Sequence, residues 1–182
     1  MAQFTALYNY LLAIFTVGLQ LGLVVFLVLF LFLRKESGEF FKFISEKATW
    51  IIFVITSSGI IGSLIYSDVI GYVPCGLCWW ERIFMYPQAF IAAVALIKKR
   101  DDAHAYVLPI AIAGAIIAAY HSYIQYAGVS FIKCDASGVS CIQRYVFELG
   151  FVTIPLMALT GFLAIIFVLV VKKYYKAPNS AN

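Results

Sequence analysis

Five apolar stretches, at 11–33, 48–66, 78–97, 106–125 and 151–171, are each close to the ~20 residues a helix needs to cross a hydrocarbon core. Lipid offers backbone N–H and C=O groups no partners, so runs of this length resolve into helices whose hydrogen bonds are internal. A 64% hydrophobic content, only 12% charged residues and a mean hydropathy of +0.95 exclude a water-soluble domain of 182 residues. The segments between the stretches are too short for a separate soluble core. The chemistry of this chain must therefore sit among helices, in short loops, or on a partner.

Charge placement orients the bundle. Arg34, Lys35, Lys42 and Lys47 follow the first stretch, Lys98, Lys99 and Arg100 the third, and Lys172, Lys173 and Lys176 the fifth; these are ten of the thirteen basic residues. Basic residues mark the cytoplasmic side, so alternate loops lie there and the N-terminus, with no Lys or Arg before Asn9, lies outside. The net charge of +4 follows this membrane pattern and forms no patch for nucleic acid. A cleavable signal peptide carries its charge before a shorter apolar core, whereas here the charge follows, so the first stretch is predicted to remain as a helix. The tail 177–182 reads as disordered.

Cys75-Gly76-Leu77-Cys78 and Cys134 with Cys141 fall in the first and second outside gaps, where disulfides persist. A Cys-x-x-Cys pair exchanges between dithiol and disulfide, and a second pair makes a relay possible. Pro74 precedes the motif and a helix is predicted to begin near Cys78, where unpaired amides and the helix dipole favour a thiolate. An inert loop disulfide is the bland reading. A zinc site would have to gather all four thiolates around one ion, and no metal is expected. Glu81 and Arg82 follow at the membrane boundary, where unpaired charge is expensive. Arg82 shares a helical face with Cys78 about 6 Å deeper, and either snorkels to head groups or serves the site. Trp79 and Trp80 read as interfacial anchors. His121 shares a face with Gln125 at about the depth of Arg82, and bonds a neighbouring helix, a carbonyl or a proton relay. Thiol, guanidinium and imidazole at one depth outline a pocket for a lipid-soluble acceptor with carbonyl oxygens, which a quinone satisfies. Pro87, Pro109 and Pro155 lie within stretches and are expected to kink them.

The second pair occupies the Gly- and Ser-containing loop 128–150, which reads as mobile and suited to exchange with another protein. Lys133 and Asp135 push the Cys134 thiol in opposite directions, and a purely structural disulfide stays open as a reading. Arg144 and Glu148 are either solvated or brace the loop.

The ordered set Pro74-Cys75-Gly76-Leu77-Cys78 into Glu81-Arg82, Tyr120-His121-Ser122 with Gln125, Cys134, then Cys141 through Arg144 to Gly150 and Pro155 resembles the DsbB/BdbC family of disulfide bond formation proteins. The resemblance covers about 48–171. It implies a four-helix transmembrane catalytic bundle over 48–171, to which the apolar stretches add an N-terminal transmembrane helix and cytoplasmic loop over 1–47 and a cytoplasmic tail over 172–182, an all-α integral membrane protein. It implies a protein dithiol:quinone oxidoreductase of the bacterial cytoplasmic membrane that reoxidises a DsbA-like thioredoxin-fold partner and reduces ubiquinone or menaquinone. Cys78 is then the residue facing the quinone, Cys75 exchanges with the loop pair, Cys134 captures the partner, and Cys141 completes the loop disulfide. Arg82 and His121 match quinone-associated positions. Two departures stand out: the first helix is an addition, since the family usually has four spans and a cytoplasmic N-terminus, and the six residues between Cys134 and Cys141 make a short loop closer to the BdbC branch. The competing functions are a quinone-like or vitamin K epoxide reductase with the opposite thiol logic, and a non-catalytic membrane scaffold holding two static disulfides.

Overall fold

The computed structural model describes residues 2–32, 38–100, 102–129 and 138–175. They form five α-helices: α1 (Ala2–Phe32), α2 (Gly38–Leu64), α3 (Gly76–Ile97), α4 (His104–Ala127) and α5 (Ile154–Tyr175). A π-helical turn, Ile65–Val69, prolongs α2. Among the described residues there is no strand, only an isolated bridge between Glu148 and Val152 closed by a turn with Leu149 and Gly150 at positive φ. The expected all-helical fold is thus present. By length and composition α1, α2 with its π turn, α4 and α5 can cross a membrane. The 22 residues of α3 rise about 33 Å, a comparable length. The expectations for Arg34, Lys35, Lys133, Cys134, Asp135, Lys176 and the tail fall outside the described residues.

Two helices are longer than their apolar runs, because the end of hydrophobicity marks a membrane boundary and not a helix end. α1 starts at Ala2, its first turns containing no breaker. α2 starts at Gly38, where Glu39 complements the dipole and Lys42 with Glu46 stand one turn apart. α2 packs on α3 and α5, and α4 packs on the same two helices, so α2–α5 close a four-helix ring; α1 docks outside it against α5. Without a hydrophobic force between helices in lipid, close approach rests on small residues. Ala48, Ala92, Ala111 and Ala118 are accordingly buried, and a Cβ on Gly114 would lie 2.4 Å from the Phe162 ring.

The three prolines differ in consequence. Pro155 occupies the first turn of α5, where its missing N–H costs nothing, while Pro87 and Pro109 lie inside α3 and α4. Next to Pro87 the Gln88 side-chain amide donates to the Phe84 carbonyl at 2.8 Å.

Candidate functional site

The site is assembled at the start of α3. Cys75 is the N-cap, extended at φ −72° and ψ 173°, and its sulfur accepts from the Cys78 backbone N–H at 3.4 Å. That contact starts the helix at Gly76, two residues before the apolar run suggests. It also directs the helix-terminal amide to Cys75. The Cys75 and Cys78 sulfurs are 3.0 Å apart and both cysteines are free thiols. Hydrogen bonding from the Cys78 side chain, opposed by burial and supported by hydrogen bonding and charge from His121, holds the Cys75 thiol below the usual thiol range.

His121, fully buried on α4, sits with Nε2 3.6 Å from Cys75 Sγ and Nδ1 2.9 Å from Glu81 Oε1. Glu81 is also buried, at 6% exposure. Neighbours on a helix point about 100° apart, and Glu81 and Arg82 separate accordingly. Arg82 turns to α2, where Nε donates to Ser63 Oγ at 2.8 Å and Nη2 to the Ser63 carbonyl at 3.0 Å, with its guanidinium 5.2 Å from the Trp79 ring. Arg82 is therefore held by protein instead of reaching to head groups.

A cleft of about 270 Å³ opens beside these groups, lined by Cys78, Glu81, Arg82 and Ser63 and continuing along apolar residues that include Val54 and Met85. His121 does not line it. The structure thus joins Cys78 and Arg82 on the cleft, and holds His121 against Cys75 and the cleft-lining Glu81. A polar end with a fixed guanidinium and an apolar body suit a quinone, which carries carbonyl acceptors on a lipid-soluble frame. The Cys75, Cys78 and His121 donor atoms all lie within 4.8 Å of one another. The 3.0 Å between sulfurs is well under the ~3.8 Å edge of a tetrahedral Zn–S site, so the pair is set for thiol–disulfide exchange.

The described part of the second loop is not loose. Cys141 is disulfide-bonded, with neither Cys75 nor Cys78, and at 1% exposure it shares one buried cluster with Cys75 and Ile124. Tyr145 stacks on Tyr72 at 4.6 Å, and Gln125 Nε2 donates to the Gln143 carbonyl at 3.1 Å. These contacts pin the loop to the segment before Cys75 and to the end of α4. A void of about 20 Å³ lies between Cys75, Cys78, Ser140 and Gln143. Arg144 covers the Phe147 ring at 4.8 Å. Trp79 and Trp80 are half exposed, as interfacial anchors are.

Sequence reasoning singled out neither Ser63 nor the pairing of Glu81 with His121. An acid inside an apolar run signals that a partner exists; identifying that partner 40 residues away requires the fold.

Residues 46–171 match the family of disulfide bond formation protein DsbB. Disulfide bond formation protein C of Bacillus subtilis is 41% identical over 120 residues, covering 65% of this chain and 85% of that protein. Probable disulfide formation protein C 2 of Bacillus anthracis is 36% identical over 129 residues, covering 71% and 92%. A probable disulfide formation protein of Oceanobacillus iheyensis is 40% identical over 127 residues, covering 69% and 87%. No solved structure matches the chain.

Proposed function

Since this chain belongs to the DsbB family of disulfide bond formation proteins, we propose that it is a membrane protein dithiol:quinone oxidoreductase that keeps a DsbA-like thioredoxin-fold partner oxidised. The observation that carries this reading is the position of Cys75, in one buried cluster with Cys141 and 3.0 Å from Cys78, which itself lines the cleft holding Arg82. Both cysteines thus border the second loop, and Cys78 alone also lines the cleft.

The partner's two thiols become a disulfide as the Cys134–Cys141 disulfide opens to two thiols. Cys134 is the residue that meets the partner, because Cys141 is too deeply buried for another protein's active site to reach. Exchange between Cys141/Cys134 and Cys75–Cys78 then restores the loop disulfide and leaves Cys75 and Cys78 reduced, no electrons being gained or lost overall. Cys75, in the buried cluster with Cys141, is the sulfur assigned to the loop exchange, and hydrogen bonding from Cys78 and His121 lowers its pKa and favours its thiolate. The quinone supplies the two-electron, two-proton acceptor that side chains lack. Cys78 is the cysteine that lines the cleft where that acceptor would sit. Arg82, fixed by Ser63, donates toward a carbonyl oxygen in the cleft, and His121, braced by Glu81, holds or passes a proton beside Cys75. Both cysteine pairs lie on the extracytoplasmic side of a bacterial cytoplasmic membrane in this reading.

The test is the purified chain in detergent with a reduced thioredoxin-fold dithiol and ubiquinone or menaquinone. One partner disulfide should appear per hydroquinone. A vitamin K epoxide reductase would instead oxidise its own thiols against an epoxide, and a static scaffold would leave both pairs unchanged in a redox buffer; either result would displace the proposal.

A further inference from the structure

The family match begins at residue 46, so α1 lies wholly outside it. Yet Leu12, Phe15, Thr16 and Leu19 of α1 line the cleft that holds Cys78 and Arg82. Their spacing places them on one face of a helix. Anchors bracket that face. Toward the start of α1, the Tyr8 hydroxyl donates to the Gly62 carbonyl at 3.5 Å and its ring meets Tyr66 edge-on at 5.2 Å. At the other end, Gln20 Nε2 donates to Thr160 Oγ1 at 2.9 Å. Gly62, Tyr66 and Thr160 line the cleft as well, so α1 is tied to its rims and not to a remote part of the bundle. Along α2 the cleft runs from Ser63, the partner of Arg82, to Val54, a distance of about 13 Å at 1.5 Å per residue. The polar end is therefore short and the remainder is an apolar lane with α1 as one side. Without α1, that side would face acyl chains.

We infer that α1 is the lateral wall of the acceptor site, its Leu12, Phe15 and Leu19 face binding the apolar tail of a quinone whose head lies beside Cys78 and Arg82. The inference rests on the quinone reading above and adds to it a tail-binding surface. α1 thereby favours tailed over tail-less acceptors, through burial of the tail, and narrows the passage from lipid to Cys78.

The test compares a decyl-substituted benzoquinone with its tail-less parent, bound to the oxidised full chain in nanodiscs and followed by quenching of tryptophan fluorescence. Leu19→Trp, which fills the lane, should weaken the decyl compound at least tenfold and change the tail-less one less than twofold. Leu21→Trp, on an exposed position of α1 that does not line the cleft, should change neither. Equal losses for the two Trp variants, or equal losses for both probes, overturn the wall. Because a bulky substitution can disturb folding, the unsubstituted chain supplies a second readout: a quinone with a photoreactive tail tip should label the peptide 2–32. Labelling confined to the other helices overturns the wall and leaves the quinone reading standing. Parental chain that binds neither quinone overturns both.

Discussion

Cys75 and Cys78 are three residues apart, and the helix start gives them different surroundings. Cys75 has the Cys78 amide and His121, both cysteines border the Cys141 cluster, and only Cys78 also lines the cleft. The division of labour follows. Cys134→Ser should abolish oxidation of the partner and leave Cys75/Cys78 able to be oxidised by quinone; Cys78→Ser should do the reverse. Single-turnover mixing of each variant against reduced partner, and separately against quinone, reads this directly, and parental-rate partner oxidation by Cys134→Ser would make the loop disulfide structural. The lowered Cys75 pKa predicts a thiolate that persists in the reduced protein as pH falls below the ~8.5 of an ordinary thiol. The folded-state value is depressed, so the thiolate is the form present above it and protonation is the change on acidification. Thiolate absorbance near the ultraviolet edge should therefore remain level from pH 8 to pH 6, and His121→Ala should move the midpoint upward by removing a hydrogen bond and a charge. Arg82→Ala acts elsewhere. Losing a charged donor in the cleft costs roughly 1.5–3 kcal/mol, so the quinone KM should rise about tenfold or more while disulfide exchange with the partner changes little. Unchanged quinone kinetics would reduce the Arg82–Ser63 contact to helix packing.

At the level of elements, α4 and α5 meet where Gly114 faces Phe162. Phe162 is fully buried, so a new methyl cannot be accommodated by swinging the ring into space. Gly114→Ala should destabilise the bundle by about 1–3 kcal/mol, the usual cost of overpacking, measurable as an earlier unfolding midpoint in denaturing detergent. Adding Phe162→Leu to Gly114→Ala should recover part of that loss, because the two positions share one contact. Strictly additive losses would place the strain elsewhere. The loop bearing Cys141 is an element too. The Gly and Ser content of 128–150 suggested mobility, whereas the stacking of Tyr145 on Tyr72 and the bond from Gln125 hold its described part. Composition reports backbone freedom in isolation; the aromatic and amide partners come from α4 and from the segment before Cys75.

For the whole molecule, the distribution of basic residues sets the orientation expected in a membrane. Ten of thirteen lie in alternate connections and none precedes α1, so an N-terminal tag should be reached by an impermeant label only from outside the cell. Labelling only from the cytoplasmic side would exclude a five-span arrangement. The architecture gives that orientation a functional sense: α2–α5 form the closed ring, and α1 packs outside it along the cleft.

Hydropathy alone was enough for five helices, because a chain in lipid has no other way to pair its backbone over runs of ~20 residues. The order Cys75, Cys78, Arg82, His121, Cys134, Cys141 likewise carried the family resemblance, as residue types and spacing are properties of the chain. Direction was not legible. Which side of α3 each charge leaves from, and what waits there, depends on helix rotation and on neighbours distant in sequence. Only packing sends Glu81 to His121, Arg82 to Ser63 and His121 to Cys75 and not to the cleft lining. The same holds for α1, whose apolar run reads identically whether it drifts in lipid or walls a site; contacts from Tyr8 and Gln20 to the cleft rim make the difference.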